Sequence, residues 1–387
     1  MSDHSDLAQV DLSTAESGQQ LFLIDLIELM REKGATDLHL TADSPPMLRL
    51  DSELFPVGSS SLAGDKVRQL VYGIMTEGQV HMFEKDMEVD FSFEISGYGR
   101  FRANVYTQKG RVAGAFRAIP ERAFSLAELG LPHSMEAVAE VPNGLVLVTG
   151  ATGSGKSTTL AALIDRIAER RRCHIVTIED PIEYVHTHKK AIVNQREVRA
   201  DTHSFARAMK SVLRQDPDVV LLGEMRDLET IELALTVAET GHLTFATLHT
   251  NSCVQTMNRI VSVFPSAQQA QVRAQLSFVL QCVLCQHLLP RKGRGGLALA
   301  YEIMIPNAAV RNLIREGKIH QIYSLMQAGQ QASQMRTMNQ TLLELVASDE
   351  ISSEAAMGRT TEARELLEMF KRQGIRTDRF GEVESED

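Results

Sequence analysis

The chain has 387 residues, 43% of them hydrophobic and 23% charged, with a formal net charge of −10 at pH 7. That length exceeds one ordinary domain and suits two or three, each with enough apolar sequence to bury a core. The acidic balance speaks against a general electrostatic grip on nucleic acid, and four cysteines in so long a chain do not make a disulfide framework, which fits a reducing, cytoplasmic setting.

The first residues, Met1-Ser-Asp-His, lack the basic and apolar regions of a secretory signal. Residues 1–20, rich in Ser, Asp, Gln and Glu, read as a disordered tail. The apolar run from Leu21 to Met30 is broken by Asp25 and Glu28 and falls short of the ~20 residues that cross a bilayer, so it reads as an amphipathic helix. It opens a small α+β domain over 21–120. Strands are expected at Asp37-Leu-His-Leu and Met47-Leu-Arg-Leu, then a helix from Asp65 to Met75. Three more strands are expected at 89–94, 100–106 and 112–117, where alternation predicts an antiparallel sheet with one polar face. The stretch from Pro120 to Pro142, with Pro132 in a Leu-Gly-Leu-Pro turn, reads as a linker over 121–142.

From 143 to 305 unbroken apolar runs alternate with helical patterns, the signature of a parallel sheet covered on both faces. The runs are Leu145 to Thr149, Ile175 to Ile178, Val219 to Leu222 and Leu243 to Thr247, and polar residues follow each at once. A single site at the carboxyl ends of the strands is therefore expected. Residues 306–373 read as a helical subdomain, with candidates Ala308 to Glu316, Ile319 to Gln327, Met338 to Ser348 and Thr361 to Gln373. An acidic tail over 374–387 follows.

The motif with the most chemistry is Gly150-Ala151-Thr152-Gly153-Ser154-Gly155-Lys156-Ser157, followed by Thr158. It is a complete G-x-x-x-x-G-K-[ST] phosphate loop between an apolar strand and a helix. Glycines let backbone N–H groups turn toward phosphates, Lys156 reaches the terminal phosphates, and Ser157 at the helix start offers a hydroxyl to Mg²⁺. ATP with Mg²⁺ is the ligand this implies. The next strand ends in Glu179-Asp180-Pro181-Ile182-Glu183, three carboxylates where a water-orienting base belongs. The third ends in Gly223-Glu224, a carboxylate placed to reach Mg²⁺, while Asp218 reads as a turn residue. His242 and His249 bracket the fourth, and either is a candidate γ-phosphate sensor. Cys282-Val-Leu-Cys285 lacks a partner pair for zinc. Leu276 to Leu289 reads as an apolar helix, in which its i, i+3 spacing puts both thiols on one buried face.

The phosphate loop, the Glu179 to Glu183 box, the Leu222-Gly-Glu-Met-Arg-Asp segment and the His242 to His249 box resemble, in order and spacing, the secretion ATPases of type II secretion and type IV pili. The likeness runs from Leu21 to Met369, and Ala309-Val-Arg-Asn-Leu-Ile-Arg-Glu316 is similar to the C-terminal signature of the pilus-retraction branch. It implies a RecA-like P-loop ATPase domain, a smaller PAS-like N-terminal domain, a homohexamer, and a retraction motor acting on a PilC-like inner-membrane platform protein. A PilU-like paralogue is a further implied partner or an alternative identity. By the same resemblance Glu183 is the general base, Glu224 positions Mg²⁺, and His242 with His249 couples phosphate state to motion. Arg102 and Arg117 act from a neighbouring subunit, with Arg100 and Arg111 as alternatives. Rival classes are a RecA-type nucleic-acid motor, which the charge opposes, and a regulatory module that binds nucleotide without turnover.

Overall fold

Alternating polar and apolar residues in the first third of the chain find their partners in one antiparallel sheet, and the solid apolar runs that follow find theirs in a parallel one. The computed structural model describes residues 22–50, 53–120, 122–293, 295–328 and 334–375, divided into the units Met1–Arg122 and Ala123–Asp387. The expected disordered tail over 1–20 and, apart from Gly374 and Ile375, the expected acidic tail over 374–387 lie outside the described residues.

The first unit contains β1 (Asp37–Leu40), β2 (Met47–Leu50), β3 (Glu53–Pro56), β4 (Glu88–Ile95), β5 (Gly99–Gln108) and β6 (Arg111–Ala118), in spatial order β3-β2-β1-β6-β5-β4 with every pair antiparallel. The period of two sends Phe101, Ala103, Val105 and Phe116 into a core shared with Leu26, Ile27 and Met30 of the helix Leu23–Glu32 and with Val67 and Leu70 of Gly64–Tyr72. Side chains of this size contribute ~1.5–3 kcal/mol each when fully buried. On the opposite face Arg49, Asp37, Arg117 and Arg102 stand directly across from one another in a row over four strands. The helix Glu77–Asp86, absent from the sequence reading, begins at a Thr76–Gln79 capping box.

The second unit holds β7 (Gly144–Thr149), β8 (His174–Glu179), β9 (Ile192–Glu197), β10 (Val219–Leu222), β11 (Leu243–Leu248), β12 (Leu280–Pro290) and β13 (Leu297–Met304), in order β13-β12-β7-β11-β10-β8-β9. All pairs are parallel except that of β12 with β13. Alternate residues of each central strand feed two cores. Leu145, Leu147, Val220 and Leu222 face one, with helices Phe205–Val212, Leu228–Glu239, Cys253–Ser262 and Ser266–Val279. Val146, Val148, Val219 and Leu221 face the other, with helix Lys156–Arg170. Both faces are covered, which is why these strands read as solid apolar runs.

Three boundaries differ from the sequence reading. The expected linker belongs mostly to the second unit: the helix Ser134–Glu140 buries Met135, Val138 and Ala139 beside Leu126 and Leu131 in its core. The expected helix from Leu276 to Leu289 ends at Val279 and becomes β12, because the chain there pairs with β7 and buries both faces. The C-terminal helices are not a separate unit. Ala308–Arg315 and Ile322–Ala328 add Val310, Ile314, Ile322 and Met326 to the main core. Met338–Ala347, Ser353–Met357 and Ala363–Arg372 close a smaller core over Leu289, Ala298 and Ala300.

Candidate nucleotide site at the carboxyl ends of the parallel strands

β11 lies between β7 and β10, so the ends of β7, β11, β10 and β8 stand side by side and carry Gly150, His249, Glu224 and the Glu179 box to one edge.

The loop after β7 is shaped by glycines in backbone conformations that strain other residues. Gly150, Gly153 and Gly155 have φ of 140°, 79° and 86°, and a Cβ on Gly150 would lie 2.4 Å from the Gln286 carbonyl of β12. Gly155 is the residue before Lys156–Arg170, so the loop's backbone ends on a helix N-terminus, a natural place for phosphate. Lys156 Nζ donates to the carbonyls of Gly150 (2.8 Å) and Ala151 (3.0 Å). Burial lowers the Lys156 pKa, opposed by the negative charges of Glu224 and Glu183, which places both carboxylates within electrostatic reach of the loop. Ala151, Thr152 and Gly153 are exposed, Ser154 is buried, and Ser157 and Thr158 are half-buried in the helix's first turn.

At the end of β10, Glu224 accepts from Arg226 (2.8 Å) and meets His249 Nε2 at 2.9 Å. Burial alone would raise its pKa, but the Arg226 hydrogen bond and the charges of His249, Arg226 and Lys156 outweigh it and hold the carboxyl below the usual range. An ionised carboxylate near the Ser157 hydroxyl's helix turn is the donor chemistry that suits Mg²⁺. Asp227 caps the helix Leu228–Glu239, and Asp218 accepts from the His174 N–H at the far edge of the sheet, as its reading as a turn residue anticipated.

At the end of β8, Glu179 accepts from Thr177 Oγ1 (2.6 Å) and Gln195 Nε2 (3.1 Å), and burial pushes its pKa up to about 7 against those bonds. Glu183 is exposed in the loop beyond, after the cis Asp180–Pro181 peptide.

The two histidines part company. His249 follows β11 at the phosphate-loop edge, whereas His242 precedes it at the opposite edge, where its Nδ1 lies 3.1 Å from the Val237 carbonyl. Seven residues of strand put roughly 23 Å between them. Of the two candidate sensors, only His249 therefore stands at the phosphate-loop edge of its own subunit, and His242 is not brought to that site.

Arg102 and Arg117 belong to the first unit, on its polar sheet face. Arg117 Nε donates to buried Asp37 at 2.7 Å, and Arg102 lies 3.8 Å from Asp90. Of the alternatives, Arg111 pairs with Asp43 at 2.5 Å. The two cysteines of the C-x-x-C pair are buried as expected but for another reason. An odd spacing on a strand sends them to opposite faces, and burial pushes both thiols up to about 12. Among the described residues no group of three or more His, Cys, Asp or Glu is arranged to hold a metal ion by itself. Sequence reasoning missed Gln195, Glu197 and Tyr184, which hold the Glu183 loop, and missed β9, whose Ile192-Val-Asn-Gln-Arg-Glu197 sequence carries no apolar alternation to mark it as a strand.

A phosphate loop, an acidic strand end and a histidine, gathered on a parallel sheet with a strand between the first two, define a P-loop nucleotide-binding domain of the α/β class. A family model described as type II/IV secretion system protein matches residues 115–379, and the chain belongs to that family of secretion ATPases. It is 49% identical over 334 residues to a protein of Pseudomonas aeruginosa named as the type IV pilus retraction ATPase PilT, covering 86% of this chain and 96% of that one. It is 48% identical over 321 residues to a twitching motility protein of Neisseria gonorrhoeae, covering 83% and 86%. Among solved structures, the pilus retraction motor PilT with bound ADP matches at 50% identity and a TM-score of 0.84, covering 90% of this chain and all of that one.

Proposed function

We propose that this chain is an ATP-hydrolysing motor that retracts type IV pili and so supports twitching motility. The observation that carries the reading is the convergence of the phosphate loop, Glu183, Glu224 and His249 on one sheet edge, in a chain 49% identical along almost the whole length of a protein named for pilus retraction. The family context adds a homohexamer, a PilC-like platform protein in the inner membrane, and a PilU-like paralogue as partner. In this reading attachment to the inner membrane runs through the platform protein. Among the described residues no helix is long and apolar enough to cross a membrane.

In this reading Gly150 to Thr158 hold the triphosphate. Ser157 and Glu224 would hold Mg²⁺, which would neutralise phosphate charge, and Glu183 orients the attacking water and takes its proton. His249, bonded to Glu224, registers whether the γ-phosphate is present. Arg102 and Arg117 act in trans on the site of a neighbouring subunit; an arginine in such a role is worth ~10³–10⁵ in rate. Arg102, with the longer ion pair, is the more easily released of the two.

The test is deletion in the native bacterium with complementation by wild type or Lys156→Ala. Wild type restores twitching and the variant does not; twitching that persists in the deletion strain overturns the retraction assignment. A role like that of PilU, to which identity is 39%, would leave retraction running on another motor. Purified wild-type protein should hydrolyse ATP without stimulation by DNA, and stimulation would favour a nucleic-acid motor.

A further inference from the structure

We propose that Gln195 and Glu197 of β9 are positioning residues that set the Glu183 loop by a side-chain ladder; the inference rests on the reading of Glu183 as the base. After Glu179 the chain leaves β8, and residues 180–190 form no strand. The backbone partners that β9 would have offered are replaced by its side chains. Glu197 Oε2 accepts from the Ile182 N–H (3.1 Å). Gln195 Nε2 donates to the Tyr184 carbonyl (2.8 Å), and Gln195 Oε1 accepts from the His186 N–H (2.7 Å).

Gln195 and Glu197 are two apart on one side of an extended strand, and they grip residues two and four apart in the loop. Glu183 lies between two gripped residues, with its own side chain exposed. The neighbours Asn194 and Arg196 bond elsewhere, to His174 and to Ser211 with the Asp201 carbonyl. Two further bonds tie the ladder to the site. The same Gln195 Nε2 donates to Glu179 Oε1 (3.1 Å), and the Tyr184 hydroxyl lies 2.9 Å from Thr158 Oγ1, next to Ser157 in the phosphate-loop helix. The loop that carries Glu183 is thus braced against β9 on one side and against the nucleotide-holding helix on the other. A brace of this kind acts on catalysis through placement, since a displacement of about 1 Å can cost ~10²-fold in rate.

The experiment is steady-state ATP hydrolysis by the purified full-length protein carrying Gln195→Leu, Tyr184→Phe or Asn194→Ala, the first also combined with Glu183→Gln. Gln195→Leu should lower kcat about tenfold or more with KM for ATP changed less than about twofold. Tyr184→Phe should lower kcat about fivefold, the value of one hydrogen bond. Asn194→Ala should leave both unchanged. In the Glu183→Gln background Gln195→Leu should add less than about twofold, because its effect runs through Glu183. Unchanged kcat in both Gln195→Leu and Tyr184→Phe overturns the ladder, as does an equal loss from Gln195→Leu in the two backgrounds. Full kcat in Glu183→Gln alone overturns instead the reading of Glu183 as base. If Gln195→Leu does not fold, Tyr184→Phe, which removes one hydroxyl, carries the decision.

Discussion

Replacing Gly150 by alanine separates two reasons for a glycine in the phosphate loop: freedom of the backbone and absence of a side chain. Gly150 has φ of 140°, and its added Cβ would lie 2.4 Å from the Gln286 carbonyl and 2.5 Å from Ser154 Oγ. The carbonyl belongs to β12, which is paired with β7 and cannot retreat without breaking that pairing, and Ser154 is buried. Backbone strain contributes about 1–3 kcal/mol, and forcing a carbon into a filled space contributes about 1–3 kcal/mol more. Gly150→Ala should therefore cost about 2–6 kcal/mol of stability. Gly153, at φ 79°, has nothing within 4 Å of its added Cβ, so Gly153→Ala meets strain alone, about 1–2 kcal/mol. The chain has no tryptophan, so equilibrium urea unfolding is best followed by circular dichroism. A fluorescent ADP analogue reports whether the loop still receives phosphate. Equal urea midpoints for the two variants, or a larger loss at Gly153, would refute the reasoning.

Three more outcomes follow from the geometry. Because burial raises the Glu179 pKa from 4.5 to about 7, the folded protein keeps a proton that the unfolded chain gives up, and stability falls as pH rises through that window. Glu179→Gln should flatten the slope, by at most ~3 kcal/mol, and identical pH dependence of the urea midpoints in wild type and variant would contradict this. A thiol reagent such as Ellman's should reach half-buried Cys173 in the native protein and leave buried Cys253, Cys282 and Cys285 untouched until denaturant is added; rapid release from all four without denaturant would mean that the β12 assignment is wrong. Arg311 donates to the Ser277 (2.7 Å) and Phe278 (3.1 Å) carbonyls at the end of helix Ser266–Val279, so Arg311→Ala should lower stability by about 1–3 kcal/mol. A change in urea midpoint too small to measure would show that those carbonyls are satisfied by water as well as by arginine.

Much of the site was legible because its residues are local in sequence. The phosphate loop, Glu224 and His249 each sit within a few residues of an apolar run, and such a run reads as a strand whether or not its neighbours are known. What escaped were relations between strands. His242 and His249 read as a pair because they bracket one strand, yet a strand's two ends lie at opposite edges of its sheet. Leu276 to Leu289 read as a helix because a strand buried on both faces shows no period of two, and only pairing with β7 distinguishes the two. β9 escaped because its polar residues, spent on gripping the loop of Glu183, look like ordinary surface.

The sequence by itself determined that the chain binds a triphosphate, which side chains line its strand ends, and that an α+β unit precedes a parallel-sheet unit, because spacing and periodicity are properties of neighbouring residues. The tertiary structure alone decided that β11 lies between the phosphate loop strand and β10, that His249 rather than His242 meets Glu224, and that β9 holds the Glu183 loop. Those facts depend on strand order, and strand order is set by which buried faces can be covered together, a property of the whole packed sheet.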